Sequence, residues 1–256
     1  KANEFLDSAS YYFDLLESSN KWVQMRGYES IGDEYLQQAN LPIVLDMYDK
    51  SLNIASTEKD TLYIGEMYNK FSSLYQLQGD FAEASLFLQK SLQLYSSSEY
   101  NTGLAATKTE QAALLLLQKD YVGAEIHALE AVAIYDTTQN MCKTCKPLKI
   151  VGESYLQRQQ IDSALFYLRE AEKQAKVCGD FLSLSNITLL IAEVLMEQSQ
   201  KQQAFTYYQT AFTLADKSKN REVLTKTAKA LYPLYEEKGQ DTKALEVFKV
   251  FHASND

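Results

Sequence analysis

Gln78-Gly79-Asp80-Phe81-Ala82-Glu83-Ala84-Ser85-Leu86-Phe87-Leu88-Gln89-Lys90-Ser91-Leu92-Gln93-Leu94-Tyr95 decides the fold of this chain. A short polar break at Gln78-Gly79-Asp80 leads into a run where Phe81, Ala84, Ser85, Leu88, Ser91, Leu92 and Tyr95 fall on one face of an α-helix, at the i, i+3, i+4, i+7 spacing. Moving along the chain in steps of 40 residues brings the pattern back without an insertion. One column reads Val44, Ala84, Ala124, Ala164, Ala204, Ala244, and a second, four residues on, reads Tyr48, Leu88, Ala128, Leu168, Tyr208, Phe248. A third reads Tyr35, Tyr75, Leu115, Tyr155, Leu195, Tyr235, and a fourth Gly32, Ser72, Ala112, Gly152, Ala192, Tyr232. The small residues let two helix backbones approach, and the aromatic or leucine of the third column fills the space between them. Breaks as short as Gln118-Lys119-Asp120 and Lys238-Gly239-Gln240 force consecutive helices antiparallel.

Composition agrees with helices throughout. With 9 Gly and 3 Pro in 256 residues, the chain lacks the turn residues a β-rich fold of this size needs. The net charge of −9 disfavours direct binding of nucleic acid or anionic lipid, which needs Lys or Arg against phosphate. No run reaches the ~18 apolar residues of a membrane span. The start at Lys1 reads as a processed or trimmed N-terminus. The periodicity predicts a leading helix over 3–18, then pairs over 21–38/41–56, 60–78/81–97, 100–118/121–136, 145–158/161–178, 180–198/201–217 and 220–238/241–253, forming one domain over 1–256. Pro42 and Pro147 fall at helix starts, where a missing N–H costs nothing, whereas Pro233 lies mid-helix and is expected to kink or loosen it.

The spacing Gly-x2-Tyr at Gly32/Tyr35 and Gly152/Tyr155, with Ala-x3-aromatic at Ala204/Tyr208 and Ala244/Phe248, resembles the tetratricopeptide repeat (TPR) signature over nearly the whole chain. Two features depart from it. The period is 40 residues, which lengthens each helix by roughly a turn, and the proline near the end of the unit is replaced by Ser56, Ser96, Asp136, Lys176, Asp216 and Asp256. The resemblance implies an all-α fold, a right-handed superhelical α-solenoid of six helix-turn-helix units plus a leading helix. It implies a binding or scaffolding module without catalysis or cofactor. The segment Glu236–Glu246 and the ending Phe251-His252-Ala253-Ser254-Asn255-Asp256 resemble the close of the repeat region in Bacteroidetes-type membrane-anchored regulators. That narrower likeness implies a periplasmic sensor for a protein or peptide within a signal-transduction regulator. The rival readings are a cytoplasmic peptide-pheromone receptor and an assembly scaffold.

The residues themselves offer little chemistry. His127 and His252 are the only histidines, and no GxSxG, HExxH, Walker A or GxGxxG motif occurs, so neither an enzyme nor a histidine-rich metal site is expected. Cys142-Lys143-Thr144-Cys145 precedes the helix that Pro147 delays, which puts both thiols in irregular chain, and Cys178 ends the antiparallel mate. A disulfide from Cys178 to Cys142 or Cys145, three reduced thiols, or a metal site all remain open. On the concave face that first helices line in such arrays, Asn69, Ser73, Ala113, Leu116, Leu117, Ile150, Leu156, Leu189 and Met196 are expected to form a groove for an extended peptide or partner helix. Glu29, Asp33 and Lys70 join them at the N-terminal end. In the last helix Val247, Val250 and Phe251 are apolar on a side its mate does not cover, which suggests a homodimer contact.

Overall fold

A computed structural model describes Leu6, Phe13, residues 20–38 and residues 40–253. The expected leading helix over 3–18 lies outside the described residues, apart from Leu6 and Phe13, which pack on the core that follows. Among the described residues there are twelve α-helices and no strand. They are α1 (Lys21–Gln37), α2 (Leu41–Glu58), α3 (Thr61–Gln78), α4 (Phe81–Ser98), α5 (Asn101–Leu117), α6 (Tyr121–Thr137), α7 (Cys145–Gln157), α8 (Ile161–Cys178), α9 (Phe181–Glu197), α10 (Lys201–Ser218), α11 (Arg221–Glu237) and α12 (Asp241–Ala253).

All but α7 begin one residue past a multiple of twenty, and the turns explain why. Gly79, Gly179 and Gly239, and with them Lys59, Glu99, Lys119, Gln139, Gln159, Ser199 and Lys219, have φ between 54° and 78°. From position 59 to position 239 one left-handed residue thus recurs at every twentieth position, just past the end of a helix. The next residue acts on both sides of the joint. Its N–H returns to the carbonyl five residues back, as in Asp60 to Ala55 (3.0 Å), Asp120 to Leu115 (2.9 Å) and Asn220 to Ala215 (2.9 Å). Its side chain then accepts from the first turn of the following helix: Asp60 from Tyr63 N–H (3.1 Å), Asp120 from Gly123 N–H (2.9 Å), Asp180 from Ser183 N–H (3.0 Å). At Asp60, Asp120, Asp180 and Asn220 one residue therefore satisfies an orphan carbonyl behind and an orphan amide ahead, whereas Asn40, Gln160 and Gln200 make no side-chain cap.

The exception, α7, starts four residues late. Pro147 cannot donate to a preceding turn and disfavours helix at Lys146 unless it sits in the first turn, so the chain forms a 3-10 turn at Met141–Lys143 and begins the α-helix at Cys145. Cys145 is consequently the first residue of α7 and buried, not in irregular chain as expected. Pro233 does not interrupt α11, which is assigned continuously through it.

Packing contacts divide the chain into two compact units that meet in sequence between Leu114 and Leu115. In the first, Met25, Tyr28 and Ile31 of α1, Val44 and Tyr48 of α2, and Tyr63, Met67 and Phe71 of α3 form the core. In the second, Leu168, Ile187, Ile191, Leu195 and Leu231 are fully buried. The close approach inside a pair is visible at two glycines. A Cβ on Gly32 would lie 2.6 Å from the Tyr48 ring, and one on Gly152 would lie 2.7 Å from Leu168 Cγ. The third column fills less space than expected: Tyr35, Leu195 and Tyr235 are buried, but Tyr75, Leu115 and Tyr155 are half-buried.

Candidate interaction face

In the first unit, α1 and α3 lie side by side and share a lattice of charges. Glu29, only 8% exposed, is its hub. The Tyr63 hydroxyl donates to Glu29 at 2.7 Å, Lys70 Nζ lies 3.2 Å away, and Arg26 donates at 3.0 Å while also reaching Glu66 at 3.4 Å. Lys70 donates to both oxygens of Asp33 at 2.7 Å, and the Tyr48 hydroxyl donates to Asp33 at 2.6 Å. Further along, Asn69 Nδ2 donates to Thr107 (3.0 Å) and Ser73 to Glu110 (3.1 Å), tying α3 to α5.

These partners set the charge states. Burial pushes the Glu29 carboxyl up, but the Tyr63 hydroxyl, Lys70 and Arg26 outweigh it and hold the group below its ordinary range. Burial pulls the Lys70 ammonium down, and Asp33 with Glu29 more than reverses this. Tyr48 and Tyr63 are both pushed well up, first by burial and then by the carboxylates they donate to, although Ser51 opposes the shift at Tyr63. Glu29 and Lys70 are thereby held in their ionised forms and in place, which suits recognition.

In the second unit the first helices α7, α9 and α11 carry a looser version. Lys149 pairs with Glu153 at 3.2 Å and Lys226 with Glu222 at 2.6 Å. Glu193 is pushed up by burial, opposed by Lys226 and reinforced by Glu197 and Glu153. A depression of about 380 Å³ at the start of α11 is lined by Arg221, Glu222, Thr225 and Lys226. Glu125 of α6 is held by the Tyr155 hydroxyl and the Arg158 guanidinium.

The apolar groove read from the sequence is largely core. Ile150 is 2% exposed and Leu189 5%, and Asn69 is buried. A first helix is covered by neighbours on two sides, as α7 is by α6 and α8, so only a narrow strip is left outward. Ser73, Ala113, Leu116, Leu156 and Met196 are half-buried, and Leu117, at 52% exposure, is the single fully open member of the set. Arg26, Tyr48, Tyr63 and Glu66 are the members the sequence reading missed. For Arg26 and Glu66 the signal was opposite charge one unit apart; Tyr48 and Tyr63 carried none.

The cysteines separate into a pair and a single thiol. Cys142 and Cys178 lie with sulfurs 2.06 Å apart and Cα atoms 5.5 Å apart, clasping the start of α7's unit to the end of α8. Cys145 keeps its thiol, 3.9 Å from the Asp180 carboxylate, and burial pushes that thiol up. On α12, Val247 is buried, and Val250 and Phe251 pack partly against the core of the second unit. They are thus not the open face expected of them, because α11 covers that side. Leu245 and Phe248 are exposed instead.

Antiparallel helix pairs with this register and capping define the TPR-like class of helical repeat. No protein-family model matches the sequence, and no curated protein matches it. Among solved structures, the chain is similar to aspartyl phosphate phosphatase F from Bacillus subtilis, at 15% identity and a TM-score of 0.66 over 93% of this chain and 71% of that one. A Rap protein complexed with competence and sporulation factor superimposes with a TM-score of 0.74 at 15% identity, over 94% of this chain and 66% of that one. A signal transduction ATPase with a tetratricopeptide repeat sensor from Pyrococcus horikoshii matches at 15% identity and a TM-score of 0.61, over 90% of this chain and 40% of that one. These likenesses concern the TPR-like fold. The narrower resemblance to Bacteroidetes-type regulators finds no support among them.

Proposed function

We propose that the chain is a non-catalytic binding module that takes a protein or peptide segment on the outward strips of its first helices, as the sensing part of a bacterial signal-transduction regulator. The carrying observation is the lattice around Glu29, Asp33 and Lys70, whose charges are fixed by one another and need no reordering to meet a ligand. The pairing of Cys142 with Cys178 as a disulfide supports placing the repeats in an oxidising compartment such as the periplasm. The likeness to a Rap protein complexed with a competence and sporulation factor favours a second reading, a cytoplasmic receptor for a peptide signal.

Peptides selected from a random display library on the immobilised chain test the first part. Their affinity is expected to fall about ten-fold or more with Lys70→Ala, and likewise with Leu117→Glu for those bound in the second unit, helicity being unchanged (ten-fold being ~1.4 kcal/mol). A library that yields no binder, or binders indifferent to both changes, overturns it. Acid-quenched alkylation of the protein taken from its native cells separates the compartments: one reactive thiol per chain after unfolding supports the periplasm, and three support the cytoplasm.

A further inference from the structure

The second helices α2, α8 and α10 are each covered twice, by their own first helix and by the first helix of the next unit, and α6 likewise touches the first helix that follows it. Among the described helices α12 touches α11 alone. The residues show the difference position by position. Tyr48, Leu88, Ala128, Leu168 and Tyr208 are buried, whereas Phe248 in the same column is 39% exposed. Phe205 packs edge-on against Tyr235 of the next first helix at 5.3 Å, whereas Leu245, one unit on, is 53% exposed. Tyr232 adds to this. It stands where Gly32, Ser72, Ala112, Gly152 and Ala192 leave room, and its ring lies 5.4 Å from that of Phe248. Beside these rings is a depression of about 300 Å³ lined by Tyr232, Glu236, Asp241, Ala244, Leu245 and Phe248.

The bare face has a sequence order that selects its occupant. Asp241, Leu245, Phe248 and His252 are all exposed and fall at i, i+4, i+7 and i+11, one stripe along α12. Acid stands at the first end, with Glu236 of α11 beside it in the depression, and Lys249 and His252 stand at the other. Laid antiparallel on a copy of itself, the stripe sets Asp241 opposite His252 and Leu245 opposite Phe248, and does so twice. Laid parallel, it sets acid on acid. We propose that α12 is a self-association surface, on which a second copy of the chain pairs antiparallel about a two-fold axis between Leu245 and Phe248. Each Phe248 seats beside the other's Tyr232 and Leu245, and each acidic end meets the other's basic end. One short helix against another buries less than the ~1,200 Å² of a stable complex, so the dimer is weak, with Kd on the order of 10–100 µM.

Sedimentation equilibrium of the 256-residue chain at concentrations spanning that range tests the proposal. The parent is expected to pass from monomer to dimer, and Phe248→Ser to remain monomeric with an unchanged circular dichroism spectrum. Asp241→Lys and His252→Asp are each expected to weaken association about five-fold or more, since two-fold symmetry repeats each contact. The double variant Asp241→Lys/His252→Asp exchanges the ends and is expected to return to within about two-fold of the parent. A chain that is monomeric throughout overturns the proposal. A dimer that ignores the charge exchange overturns it as well.

Discussion

At the scale of the residue, Glu29 shows how a carboxylate survives inside a repeat array. Its burial is unfavourable by itself, and the Tyr63 hydroxyl, Lys70 and Arg26 turn the balance. A carboxyl whose folded value lies below its unfolded one stabilises the protein above the unfolded value of about 4.3 and loses that contribution as pH falls through the lower folded value. The melting temperature of the parent should therefore converge on that of Glu29→Gln below about pH 4. At pH 7 the variant should be less stable by about 1–3 kcal/mol, toward the low end because Lys70 keeps Asp33 and Tyr63 keeps Ser51. Parallel melting curves for the two proteins from pH 3 to pH 7 would contradict this account. The sequence placed Glu29, Asp33 and Lys70 on one face but not in one lattice, because hydrogen-bond partners such as Tyr48 and Tyr63 read equally well as core aromatics. It also misjudged Ile150 and Leu189, because helical spacing tells which residues share a face and not how many neighbours cover it.

At the scale of the element, the helix boundaries were legible and their cause was not. Start positions follow from the 40-residue columns, and each observed start lies within a residue or so of the expected one. The left-handed stop is Gly at only three of its ten positions, so the turn carried almost no composition signal. Lysine at φ 56° carries a strain that glycine does not. Lys59→Gly, Lys119→Gly and Lys219→Gly should each raise stability by about 0.5–1 kcal/mol in urea titrations, after the extra chain entropy of glycine is subtracted. Gly79→Ala is the matching control. A Cβ there meets nothing within 4 Å, so a loss of about 1 kcal/mol would be conformational and not steric. If all four variants unfold with the parent, the left-handed joints carry no strain.

At the scale of the whole molecule, contacts run between neighbours, and damage should stay near where it is done. The Cys142–Cys178 clasp joins positions 36 residues apart, and opening it should cost about 3–4 kcal/mol by loop-closure entropy. Hydrogen exchange under reducing conditions should accelerate through α7 and α8 while α1 to α3 keep their protection; uniform acceleration would mean a single cooperative fold. Pairing in a third dimension was legible only as alternatives, because which of Cys142 and Cys145 faces Cys178 depends on where Pro147 lets α7 begin. The evenly spaced joints carry a genetic consequence. Because the left-handed stop recurs at equal contour intervals, an unequal crossover between two joints 40 residues apart keeps that stop at the seam. Loss of 181–220 would set Asp180 directly before Arg221, in the place Asn220 holds now, with Gly179 still left-handed behind it. Loss of only 20 would also close a sound joint, but every helix beyond it would exchange its inward role for an outward one. A gene built this way can drift in length by whole units and is barred from half ones.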